Sequence, residues 1–128
     1  MAESRYPHGT FCWNEAVSTD VAASTRFYTE LLGWKAEKHD SPGMEYTVMK
    51  AGDSMAAGFM AMPPDAKGVP SHWMGYIAVD NVDELAEKSK ALGGSIIHGP
   101  ADIPTVGRFV IIKDPAGAVV SLITMVSE

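Results

Sequence analysis

A carboxylate, an imidazole and a phenol lining one cavity would make a metal-free acid–base set, and Glu15, His72 and Tyr76 are the candidates here. In extended chain, alternate side chains share a face. Phe11, Trp13 and Glu15 then lie on one side of a strand, with Cys12 and Asn14 on the other. His72, Met74 and Tyr76 share a face of a second strand. Imidazole titrates near neutrality and a desolvated carboxyl rises towards it, so such a pair can pass a proton. The plainer alternative leaves Glu15 and His72 at a rim, solvated or hydrogen-bonded, with no turnover. Phe11, Trp13, Trp73 and Tyr76 can stack on a flat or apolar ligand, or pack in a core or dimer interface. Eight methionines, Met60 and Met74 among them, either fill irregular gaps or soften an apolar pocket. Arg108 can clamp an anionic group, or it can fix its own loop with Asp102 as partner. Ser121 offers a hydroxyl as a further polar contact. His8 and His98 have no spacing that suggests a site, and His39 falls in a turn. There is no glycine-rich phosphate loop, nucleophile elbow or zinc-type cysteine spacing.

The elements that must carry these residues follow from periodicity and punctuation. Phe11 to Ala16 reads as a strand. Asp20 ends a Ser18-Thr19-Asp20 helix-capping signal, and Phe27, Tyr28, Leu31 and Leu32 recur at helical spacing up to the stop at Gly33. Strands are expected at 34–38, 46–50 and 55–62, with turns at 39–43 and 51–53. Residues 63–71, PPDAKGVPS, form a linker. The pattern then begins again. A strand at 73–79 leads to a helix capped by Asn81 with Glu84 three residues on, with Val82, Leu85, Ser89 and Leu92 on one face. Gly93-Gly94 ends it. Strands at 95–98, 109–113 and 118–125 complete the second half, with a long loop at 99–107. The order is strand, helix, three strands, twice over, with a period of about sixty residues. Neither half can cover both faces of its sheet alone. An α+β architecture with a central cleft is the expectation.

Composition bounds the partners. The chain has 128 residues, 46% apolar and 20% charged, so it has the make-up of one globular domain. A net charge of −6 disfavours a nucleic-acid partner, which wants a basic face. No apolar run approaches a membrane span, and MAESRYPHGT has no signal-peptide core. The one cysteine, Cys12, cannot form an intramolecular disulfide, which suits a reducing compartment. It is expected to be inert beneath the first helix. A cytoplasmic location is the expectation.

The stretches TDVAASTRFYTELLGW at 19–34, YIAVDNVDE at 76–84, ALGG at 91–94, GPADIPTVGR at 99–108 and DPAGA at 114–118 carry a family resemblance. The chain resembles the vicinal oxygen chelate superfamily, the glyoxalase/bleomycin-resistance/dioxygenase proteins, over nearly its whole length. That resemblance implies one domain of two βαβββ modules, at about 8–62 and 72–126, forming an open, cup-shaped sheet. It also implies a homodimer. The family's enzymes place four metal-binding positions in the cup, which carry over to Trp13, Gly58, Met74 and Ser121. None of the four suits a hard divalent ion, which needs converging imidazole or carboxylate donors.

No cofactor is therefore expected. The leading expectation is a metal-free protein that binds a small, partly apolar molecule. Phe11, Trp13, Met60, Met74 and Tyr76 would form its wall, and Glu15, His72, Arg108 and Ser121 its polar contacts. One alternative is a glyoxalase-type lyase or isomerase acting on a dicarbonyl or its thiol adduct, for which Glu15 and His72 are the catalytic candidates. Another is a non-catalytic association subunit.

Overall fold

The computed structural model describes residues 6–41, 44–64, 66–103 and 106–126. Its elements run β1 (Phe11–Ser18), α1 (Val21–Leu32), β2 (Lys35–Ser41), β3 (Met44–Ala51), β4 (Ser54–Ala61), β5 (His72–Ala78), α2 (Val82–Ala91), β6 (Ser95–Ile103), β7 (Gly107–Lys113) and β8 (Val119–Met125). The strand–helix–three-strand unit occurs twice, as the periodicity predicts. The strands follow the order β2-β3-β4-β1-β5-β8-β7-β6 in an open mixed sheet. The fold is α+β.

The chain divides into two compact units, Asn14–Met74 and Met1–Trp13 together with Gly75–Glu128. In the first unit β1 pairs parallel with β4, while β3 pairs antiparallel with both β2 and β4. Ala16, Met49, Ala57 and Phe59 form its buried cluster, with Val21, Tyr28 and Trp34 packed against them. The Asp20 carboxylate accepts from the Ala23 N–H and starts α1. Gly33, in the left-handed region at φ 75°, closes it by donating its N–H to the Thr29 carbonyl. Positive φ costs glycine no Cβ clash, which is why the helix stops there.

In the second unit β5 pairs parallel with β8, and β7 lies antiparallel between β8 and β6. Val82 and Ala86 of α2 are buried against Val79, Val110 and Leu122. The Asn81 side chain accepts from the Glu84 N–H, so the predicted cap forms. Leu92, expected on the buried face, is 68% exposed instead, because α2 ends one residue before it and Ala86 fills the face.

Two other expectations are corrected. Residues 99–103 are not loop: β6 continues to Ile103, with register shifts on either side of His98 that absorb extra residues. His39 is not in a turn but in β2, paired with Tyr46.

Candidate ligand-binding site

In the unit Asn14–Met74, the face away from the Ala16 cluster is set by a ladder. Glu15 is beside Gly58, which is beside Val48; Val17 is beside Met60, which is beside Tyr46. A side chain at Gly58 would collide with the Tyr46 ring and hydroxyl. Tyr46 therefore passes its phenol across β4 over Gly58, the ladder neighbour of Glu15. Glu15 is 6% exposed. A buried carboxylate needs partners, and Glu15 is not without one. The result is a carboxylate and a phenol on one face, with Met60 beside them. Sequence reading missed Tyr46, because only the β3–β4 register reveals it.

His72 is engaged elsewhere. Its Nδ1 donates to the Pro70 carbonyl at 2.8 Å, so the ring is tied to the segment just before it. That bond leaves Nε2 as the free nitrogen. Trp73, offered as a stacking residue, packs on the α1 side: its indole N–H donates to the Tyr28 hydroxyl at 3.2 Å, and its ring meets Phe59 edge-on.

In the other unit, β5 and β8 place Tyr76 beside Ser121, and β7 and β6 extend the row to Ile111 and His98. Phe109 lies one row along, with its ring centroid 6.5 Å from Tyr76 and 5.7 Å from His98. Ser121 is fully buried, and its hydroxyl donates to the Val110 carbonyl at 3.4 Å. It is a floor residue rather than an open contact. Tyr76 is buried too, whereas Phe109 and Ile111 are half-buried and His98 is exposed. Phe11, expected beside Met74 and Tyr76, is 64% exposed and rests its ring against Gly75. By alternation along β5, that is the face opposite Tyr76. Met74 is buried and Trp13 half-buried.

Arg108 does not offer a free fork. Its Nε donates to both Asp83 oxygens, Nη2 donates to Asp83, and Nη1 donates to Asp102 at 3.1 Å. Hydrogen bonds to Asp83 first, then to Asp102, raise the guanidinium pKa above its ordinary value. The residue staples α2 to β6 and β7. Asp102 is thus its partner, as one reading of the sequence has it, but the guanidinium ties a helix to two strands rather than fixing a loop. Burial raises the Cys12 thiol, only partly offset by a backbone hydrogen bond.

The divalent ion that the resemblance implies does not fit the residues present. Trp13, Gly58, Met74 and Ser121 supply no imidazole or carboxylate. The ladder neighbours of Gly58 and Ser121 add one carboxylate, Glu15, and a phenol, Tyr76. Among the described residues no three of His, Cys, Asp or Glu converge. A hard cation wants several such donors together.

Fold and residues together define a class. The model of the Glyoxalase/Bleomycin resistance protein/Dioxygenase superfamily matches residues 13–122, and the chain belongs to that family. It is 41% identical over 116 residues to "Putative glyoxylase CFP32" of Mycobacterium tuberculosis, covering 90% of this chain and 44% of that one. It is 33% identical over 128 residues to the anthracycline biosynthesis protein DnrV of Streptomyces peucetius, covering 90% of this chain and 46% of that one. The chain thus spans about half the length of the curated relatives it matches. Among solved structures, methylmalonyl-CoA epimerase from Mycobacterium tuberculosis superposes with a TM-score of 0.64 at 15% identity, covering 98% of this chain and 94% of that one. At that identity the likeness is one of fold. Among the described residues no helix is long and apolar enough to cross a membrane.

Proposed function

We propose that this protein binds a small, partly apolar molecule without a metal ion, on the face carried by β5, β8 and β7. The observation that carries this reading is the tilted ring pair of Tyr76 and Phe109 beside the buried Ser121 hydroxyl. Phe109, half-buried over a floor of Tyr76 and Ser121, suits stacking on a ligand ring, not charge neutralisation of a cation. A relative named for anthracycline biosynthesis favours planar, polycyclic ligands. The assembly we infer is a homodimer, which light scattering of the purified protein tests. The binding test is quenching of tryptophan fluorescence by a panel of planar aromatics, using chelator-treated protein. Saturable quenching that Trp13→Phe abolishes and Trp73→Phe retains is the expected result. Quenching absent throughout the panel contradicts the reading.

The second reading is a glyoxalase-type lyase or isomerase acting on a dicarbonyl or its thiol adduct. The buried Glu15 carboxylate, neighbour to the Gly58 that Tyr46 covers, favours it, because proton transfer next to a carbonyl needs a desolvated base. A relative named as a glyoxylase supports the same class. Turnover of methylglyoxal with a thiol that Glu15→Gln abolishes would establish it. Its absence, with and without added Ni²⁺ or Zn²⁺, would leave the binding reading.

A further inference from the structure

Resting on the binding reading above, we propose that His98 is a specificity residue that selects an acidic oxygen on a planar conjugated ligand. Strand register decides which way His98 points. Ile96 pairs with Ile112, and both pack with the α2 cluster. In a regular ladder, residues two apart point the same way. His98 would then follow Ile96 to the α2 side. Between the two the register slips, and His98 pairs with Ile111. A one-residue slip reverses the face. The imidazole therefore turns to the side of Ser121, Tyr76 and Phe109, where its ring meets Phe109 at 5.7 Å and 34°.

A second shift lies between His98 and Ala101. Between them Gly99 has φ +93°, and a Cβ there would stand 2.9 Å from the Phe109 carbonyl oxygen. Only glycine fits there, so the second shift, just past His98, is specified by sequence. Bulges of this kind re-aim side chains and recur beside binding sites. His98 gains no burial from being turned, and among the described residues none pairs with its nitrogens. What it gains is a place at the open end of the aromatic row. There Phe109 can stack on a conjugated plane while an imidazole N–H donates to an oxygen at its edge. In a chain of net charge −6, a donor at that edge is also what an anionic ligand would need.

The test uses two probes of one shape, anthraquinone-2-sulfonate and the uncharged 2-(hydroxymethyl)anthraquinone. Each is titrated into wild type, His98→Leu, His98→Gln and the control Leu92→Ala, at an exposed residue past the end of α2, with circular dichroism confirming the fold. A hydrogen bond to a charged partner predicts that His98→Leu weakens sulfonate binding about tenfold or more and neutral binding less than about twofold. His98→Gln, which retains a donor, should fall between, and Leu92→Ala should match wild type. Equal loss for both probes, or none for either, in His98→Leu overturns the role of His98 while leaving the binding reading intact. Failure of wild type to bind either probe overturns both.

Discussion

Gly58 shows how one missing side chain positions another. Tyr46 crosses β4 only because Gly58 has no Cβ, so its phenol lies towards the strand that carries Glu15. Gly58→Ala should force that ring aside and destabilise the fold by about 1–3 kcal/mol in urea unfolding, the usual cost of overpacking. Truncating the ring in the same chain, Tyr46→Ala with Gly58→Ala, should remove most of that clash. Equal stability of wild type and Gly58→Ala would contradict the packing. Cys12 gives a pH prediction. Its thiolate is penalised chiefly by burial, so the folded pKa lies above the ordinary thiol value. The native state keeps a proton that the unfolded chain releases first, so this contribution to stability is lost as pH rises through the thiol range. Since the thiolate is the nucleophile, alkylation by iodoacetamide should reach half-maximal rate at higher pH in native than in urea-unfolded protein. A native midpoint at or below the unfolded one would refute it. At this scale the sequence told residue types, and alternation placed Glu15 and Tyr76 on defined faces. It could not tell which neighbour fills the space. Tyr46 over Gly58, Phe11 on Gly75 and Trp73 on Tyr28 are decided by tertiary contacts.

Elements were more legible where local chemistry decides them. Asp20, Gly33 and Asn81 announce their helix ends, and all three perform the capping their residue types suggest. Asn81→Ala should cost about 1 kcal/mol of stability, because the Glu84 N–H loses its acceptor. No change in the urea midpoint would refute the cap. β6 was illegible for the opposite reason. Gly99 and Pro100 resemble loop punctuation, yet in an edge strand they make a bulge, and pairing with β7 carries the chain through as strand to Ile103. The same region holds Arg108, whose bonds to Asp83 and Asp102 join α2 to the β6–β7 pair. Arg108→Leu should lower the thermal midpoint and blunt its dependence on salt, since exposed ion pairs are screened. A variant that melts like wild type, with the same salt dependence, would show that the staple is idle.

At the scale of the molecule, the repeated strand–helix–three-strand order and the family motifs along the chain led directly to the superfamily, which the match over residues 13–122 places beyond composition or charge. Function was less legible, because relatives on one fold differ in their sites. Here the candidate residues are rings and a buried hydroxyl in one unit, Tyr76, Phe109 and Ser121, and the buried Glu15 carboxylate in the other. Ligand recognition, as proposed above, needs no cation. It is tested most directly by titrating anthraquinone-2-sulfonate into protein dialysed against a chelator, then into the same protein with one equivalent of Ni²⁺ or Zn²⁺. Saturable binding with the same Kd in all three samples is the expected result. Binding that appears only once stoichiometric metal is restored would contradict it.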